Sequence, residues 1–360
     1  MNAGQMKVDE ARFAFLDKAG WADAKATPLA GDASSRRYER LEKNGLPAIL
    51  MIAPPGAEEA ACPAAASEQE RRTLGYNAMA RLAGPNLNAF TSVSNMLRQT
   101  GLSAPEVYSA DAQSGFALIE DLGDDLFARV AGDIDETTLY SAAIDALAHL
   151  HLGGVSPPAA PGFQMLDYDA LALEAEVMLL LQWYWPLKKN ASASDDQCSE
   201  YIQLWREAFG ALSAPHAPVL RDYHAENLLW LPDRKADARV GIIDFQDALF
   251  GHAAYDIASL LEDARRDVSP ELANAMLSRY YDRTGEGVDR GEFERDYAIL
   301  AAQRNAKILG IFARLAKRDN KPRYLDLLPR VEAHFRDDLK REPMGALAEF
   351  MKKHFPEWSS

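Results

Sequence analysis

The chain has 360 residues, enough for two lobes or domains, and 48% of them are hydrophobic, enough for a sizeable core. Its net charge of −15 argues against non-specific nucleic-acid binding, which relies on clustered Lys and Arg. Cys62 and Cys198 have no metal-ligand spacing and no disulfide framework, so a reducing, cytoplasmic setting is expected.

The N-terminal residues include Lys7, Asp9, Glu10 and Arg12 without an apolar core, so they do not read as a secretory signal. A helix is predicted over residues 8–20, with Phe13 and Leu16 on one face. Gly31-Asp32-Ala33-Ser34-Ser35 reads as a turn-forming loop. Residues 37–41 and 48–52 are candidate strands, and Asn44-Gly45 between them is a hairpin signal. Pro54-Pro55-Gly56 ends the second strand, and residues 57–85 read as a loop with a helical insert. A short helix is predicted over residues 90–100, closed by Gly101 in the C′ position. Val107-Tyr108 and Phe116-Ala117-Leu118-Ile119 look like a further strand pair. Glu120-Asp121-Leu122-Gly123-Asp124 then places polar residues and a glycine after a strand, as a connection between lobes would.

The remainder reads as mostly helical. The longest apolar run, residues 177–187, is too short to span a bilayer and is expected in a buried helix. Cys198, Tyr201, Ile202, Trp205, Phe209 and Leu212 fall on one helical face. Ser269-Pro270 supplies an N-cap followed by Pro at the first helical position.

One hairpin interrupts the helices. Leu228-Leu229-Trp230-Leu231 and Val240-Gly241-Ile242-Ile243 are strand-like, with a turn-rich stretch between them. If they pair antiparallel, Asn227 before the first strand sits beside Asp244 after the second. Asp222 lies on the loop that enters this hairpin. Phosphoryl transfer from a nucleotide needs this set of groups: one carboxylate to accept the proton of the attacking hydroxyl, and an amide and a second carboxylate to hold Mg²⁺ against the phosphates.

Together these residues resemble the aminoglycoside phosphotransferase and choline kinase superfamily. The matching segments are Gly31-Asp32-Ala33-Ser34-Ser35-Arg36-Arg37-Tyr38, Leu118-Ile119-Glu120-Asp121-Leu122-Gly123-Asp124, Arg221-Asp222-Tyr223-His224 with Asn227, and Asp244-Phe245-Gln246-Asp247-Ala248. Tyr255-Asp256 and the run from Gln303-Arg304 through Lys307 to Leu315 extend the match over nearly the whole chain. Within the superfamily the chain is most similar to the anomeric sugar kinases of cell-wall recycling, which phosphorylate N-acetylmuramate and N-acetylglucosamine at C1.

The resemblance implies an α+β, protein-kinase-like fold of two lobes. Residues 1–121 would form a small nucleotide-binding lobe with an antiparallel sheet, and residues 122–360 a larger, mainly helical lobe. It implies ATP and Mg²⁺ as cofactors and a small sugar as substrate; a monomer without membrane insertion is expected. Asp222 would be the catalytic base, Asn227 and Asp244 the Mg²⁺ ligands, and Asp256 the anchor of the catalytic loop. The backbone around Glu120 to Leu122 would meet the adenine, and Asp32, Ser34 and Ser35 would cover the phosphates.

Two departures stand out. Kinases place a Lys on the third strand, paired with a helix Glu, but residues 49–52 and 90–100 carry neither. Arg37 is the candidate substitute, because a guanidinium clamps phosphate bidentately. Leu220 stands where many relatives have His. On the substrate side, Glu174, Glu176, Trp183 and Tyr184 on one helical segment, His224 two residues after Asp222, and Arg304 and Lys307 one turn apart are candidates. A kinase for an aminoglycoside or amino alcohol, and a pseudokinase lacking the strand Lys, are the competing readings.

Overall fold

The computed structural model describes residues 3–29, 36–53, 61–154 and 156–358. Asp32, Ser34, Ser35 and Pro54-Pro55-Gly56 lie outside the described residues. Helix α1 (Ala3–Lys18) precedes five strands, β1 (Lys25–Pro28), β2 (Arg37–Lys43), β3 (Leu46–Ile52), β4 (Val107–Asp111) and β5 (Phe116–Ile119). They form one antiparallel sheet in the order β1-β2-β3-β5-β4.

Asn44 and Gly45 take φ of 52° and 77°, as a two-residue hairpin turn requires, and set Lys43 opposite Leu46. Period-two alternation along β3 then divides its side chains. Ala48, Leu50 and Ile52 meet Phe15 and Leu16 of α1, whereas Ile49 and Met51 join the core on the other face. That second face is covered by α4 (Leu87–Gln99), through Phe90, Val93 and Leu97. Gly101 follows at φ 89°, the left-handed residue expected after the helix. The insert between β3 and α4 holds α2 (Glu68–Leu74) and α3 (Tyr76–Met79). Strand β1 had no sequence signal: its four residues are all exposed and show no alternation.

After residues 120–126 come α5 (Phe127–Val130), α6 (Glu136–Leu152), the short pair β6 (Ala159–Ala160) and β7 (Phe163–Gln164), and α7 (Ala170–Leu179). A π-helical turn, Leu180–Tyr184, joins α7 to α8 (Trp185–Lys189), so the long apolar run is buried in helix as predicted. Helix α9 (Asp195–Phe209) buries Tyr201 and Trp205. Strands β8 (Ala217–Val219), β9 (Leu228–Trp230), β10 (Val240–Ile242) and β11 (Leu249–Gly251) make two small antiparallel ladders, β9 with β10 and β8 with β11. The chain ends with α10 (Ala254–Leu261), α11 (Pro270–Thr284), α12 (Arg290–Lys317), α13 (Leu328–Asp338) and α14 (Gly345–His354). Ser269 caps α11 through the Leu272 N–H, with Pro270 at its first position. Among the described residues no helix is long and apolar enough to cross a membrane.

Candidate active site

The loop from Leu220 to Asn227 is pinned to α10. The buried carboxylate of Asp256 accepts from the N–H groups of Leu220 (2.6 Å) and Arg221 (2.9 Å), and Ser259 Oγ donates to the Arg221 carbonyl (3.3 Å). These bonds hold Arg221 at φ 72°, a left-handed conformation that costs a non-glycine residue about 1 kcal/mol. Burial pushes Asp256 up to about 7 despite the two N–H groups that favour its ionised form.

The Arg221 side chain turns into the protein. It bonds Glu176 on α7 and donates to the Ala80 carbonyl (3.2 Å), and its guanidinium lies 5.1 Å from the Tyr168 ring centre. Glu176 also accepts from Tyr168, from Gln303 Nε2 (2.8 Å) and from Lys307 Nζ (3.0 Å). One buried carboxylate therefore ties α7, α12 and the loop together, and removing any partner would strand a charge.

The β9–β10 pairing sets Leu228 opposite Ile242, and the Ile243 N–H donates to the Asn227 carbonyl (3.1 Å). Asn227 and Asp244 are thereby neighbours. Asn227 Nδ2 donates to the Asp222 carbonyl (3.0 Å), which turns its Oδ1 to other partners. Asp244 stands at φ 60° with its side chain 46% exposed in the cleft. Gln246 Nε2 donates to it (2.9 Å), and Arg36 Nη1 lies 3.9 Å away. Phe245 stacks on Phe90 of α4 with ring centres 4.9 Å apart, so α4 helps set the position of Asp244.

The carboxyls of Asp222 and Asp244 differ electrostatically. Burial pushes Asp222 up, but Lys307, with Arg221 and Arg304, outweighs it and holds Asp222 below the ordinary aspartate value. Asp244 is crowded by protein on the sides not open to the cleft. That burial, and the charge of Asp222, push it up to about 6. Burial lowers His224 to about 4, so its ring is neutral at pH 7. Its Nε2 faces two donors, Asn227 Nδ2 (3.4 Å) and Arg265 Nη1 (3.5 Å), which assigns the proton to Nδ1.

The family model described as "Phosphotransferase enzyme family" matches residues 25–293. The chain belongs to the phosphotransferase enzyme family. It is 44% identical to the N-acetylmuramate/N-acetylglucosamine kinase of Caulobacter vibrioides, over 90% of each chain. It is 29% identical to the kinase of the same name from Pseudomonas putida, over 91% of this chain and 88% of that one. Among solved structures, the choline kinase LicA of Streptococcus pneumoniae superposes with a TM-score of 0.60 at 12% identity, covering 91% of this chain and 99% of that one. A putative aminoglycoside phosphotransferase of Ralstonia eutropha does so with a TM-score of 0.56 at 15% identity, covering 96% and 98%. These likenesses establish the protein-kinase-like α+β fold.

The remaining candidate residues of this phosphotransferase are distributed unevenly. Arg37, the candidate phosphate clamp, is exposed at the first position of β2, whereas Arg36 is the arginine that reaches toward Asp244. Arg36 is 9% exposed and donates to the Gly84 carbonyl (2.8 Å). Neighbouring residues of an extended chain point to opposite sides, so one residue of register decides which enters the site. The Glu120 N–H is committed to the Glu106 carbonyl (2.8 Å), and its carboxylate is bound by Arg98 and Arg234. The side chain of Leu122 packs over Gly241, where a Cβ would lie 3.2 Å from it.

Glu174 is paired with Arg206 of α9 (2.8 and 2.9 Å), and Trp183 is half-buried, packed against the edge of the helical core. Lys307 bonds Glu176 and Tyr255, and Arg304 is buried near the Asp222 loop. Sequence reasoning missed Arg36 and Gln246. The second sits two residues after Asp244 and had a signal in that spacing.

Proposed function

We propose that this phosphotransferase is an ATP-dependent kinase of N-acetylmuramate and N-acetylglucosamine, acting on the anomeric hydroxyl in peptidoglycan recycling. The observation that carries the substrate class is the 44% identity, over 90% of both chains, with a kinase named for those two sugars. The C1 position and the recycling role rest on the resemblance of the segments around Asp222 and from Gln303 to Leu315. The lobe of residues 1–121 binds the nucleotide, and the lobe of residues 122–360 carries the acceptor. The protein acts as a cytoplasmic monomer.

Asp222 is ionised at neutral pH and serves as the proton acceptor that orients the sugar hydroxyl. Asn227 and Asp244 suit Mg²⁺: they are oxygen donors, and Asp244 stands in a cleft where its charge is disfavoured next to Asp222. Among the described residues no group of three His, Cys, Asp or Glu side chains could hold a metal, so phosphate oxygens and water would complete its shell. Bound there, Mg²⁺ would neutralise phosphate charge. The backbone around Glu120 to Leu122 is the proposed partner of the base, and Asp32, Ser34 and Ser35 are the proposed phosphate-binding residues.

Arg36 supplies the phosphate-facing cation that β3 lacks. Arg36→Ala is expected to weaken binding of a non-hydrolysable ATP analogue about 10- to 100-fold, as loss of a charge-assisted contact does. Arg37→Ala is expected to change it less than about twofold, since exposed charges contribute little. Calorimetry on both variants checks the pair, and equal losses would remove the assignment. The proposed activity itself is tested by ³¹P NMR of products from a sugar panel. Phosphorus coupling to H1 is expected for both N-acetylated sugars, a methyl glycoside blocked at C1 is expected not to react, and faster turnover of kanamycin would overturn the reading.

A further inference from the structure

N-Acetylmuramate is N-acetylglucosamine with a lactyl ether, so it brings one carboxylate that the other sugar lacks. An anionic acceptor must approach Asp222 and Asp244 in a protein whose net charge is −15. Repulsion there opposes binding unless a cation is kept for the acceptor's charge. Most cations near the Asp222 loop are already engaged. Arg221 and Lys307 both bind Glu176, Arg265 Nε lies 2.8 Å from Glu226, and Arg36 stands beside Asp244.

Arg304 on α12 is different. It is 3% exposed, and among the described residues its one hydrogen bond is from Nη1 to the Glu262 carbonyl (3.2 Å) and no carboxylate lies within ion-pair distance of it. The Glu262 carboxylate is turned to Tyr297 (3.0 Å) and Asn305 (2.7 Å) instead. A guanidinium buried without a counter-ion is costly, and a bound anion would relieve that cost. Arg304 is close enough to Asp222 and His224 for its charge to help hold the first ionised and the second neutral. A second observation comes from His224 itself, whose buried Nδ1 has no partner among the described residues. The loop that presents Asp222 thus has an unmatched donor, and α12 beside it an unmatched cation.

Resting on the kinase reading above, we propose that Arg304 is the recognition cation for the acceptor's carboxylate. Its planar fork donates two parallel N–H bonds to the lactyl group, which a Lys cannot reproduce. One site then takes both sugars, and Arg304 sets the preference between them.

The test compares kcat/KM for N-acetylmuramate and N-acetylglucosamine in the wild type, Arg304→Gln and Arg304→Lys. The ratio of the two is expected to fall about 10- to 100-fold in the Gln variant, mainly through KM for N-acetylmuramate, and by less in the Lys variant. The ratio is taken on one enzyme preparation, so a partial folding defect cancels. The Lys variant keeps the charge in the same space and serves if the Gln variant does not fold. Calorimetry without nucleotide should show the same loss of N-acetylmuramate affinity. In the wild type, added salt should raise KM for N-acetylmuramate more than for N-acetylglucosamine. An unchanged ratio overturns the proposal. So does an equal loss on both sugars, which would assign Arg304 to the transferred phosphoryl group or to the packing of α12. A wild type that phosphorylates neither sugar would defeat the kinase reading itself, a separate outcome.

Discussion

Asp222→Asn is expected to lower kcat by about 10²-fold or more while leaving nucleotide affinity within a few-fold, as loss of a positioned proton acceptor does. The substitution keeps the side chain's shape, and the loop does not depend on the Asp222 carboxylate for its conformation. The anchors are the Asp256 carboxylate, Ser259 Oγ and the amide of Asn227, all bonded to backbone groups of the loop. The change also has a spectroscopic consequence. The charge of Asp222 contributes to raising Asp244 to about 6, after burial, so the variant's Asp244 should titrate lower. The sign follows from removing a like charge, which favours the ionised form of the neighbour. NMR titration of the Asp244 carboxyl in metal-free protein reads that shift, and rates under saturating substrates read kcat. Near wild-type turnover in Asp222→Asn would remove its catalytic assignment.

Gly310→Ala is expected to destabilise the protein by about 3 kcal/mol, a large effect for one methyl group. A Cβ at Gly310 would stand 2.3 Å from the carbonyl carbon of Leu179 and 2.5 Å from its oxygen. That obstacle is backbone, at the junction of α7 and the π-helical turn, and it cannot rotate away. Nor can α7 easily retreat, because Glu176 is bonded to Arg221, Gln303 and Lys307. In an isolated helix Ala is better than Gly by about 1 kcal/mol, so the sign of the effect separates tertiary packing from propensity. Gly345→Ala is the matched control: a Cβ there meets nothing within 4 Å. Thermal unfolding should show a clear fall in Tm for Gly310→Ala and little change or a slight rise for Gly345→Ala.

Much of the chemistry could be read from local sequence because it rests on local geometry. Asn44-Gly45 admits positive φ at both positions and so announced the β2–β3 hairpin. A short hairpin brings its two flanks together, which is why Asn227 and Asp244 could be paired from spacing alone. The role of Asp256 as the loop's anchor came from family resemblance, and its two N–H bonds bear it out. Strand β1 could not be read, because an exposed edge strand has no buried face to impose alternation.

The sequence by itself determined the β2–β3 hairpin, the hairpin that joins the proposed metal ligands, and the identity of the acidic groups. Each follows from backbone preferences or side-chain periodicity within a few residues. Only the tertiary structure decided which charges remain available. Glu174 and Lys307 are substrate candidates from their helices alone, and the fold pairs them with Arg206 and Glu176, distant in sequence. Arg36 rather than Arg37 entered the cleft because side chains of an extended chain alternate and only the placed strand fixes the phase. Among the described residues, Arg304 was left without a carboxylate in the same way. Burial and pairing are set by what packs against a residue, and that depends on contacts between segments far apart in the chain.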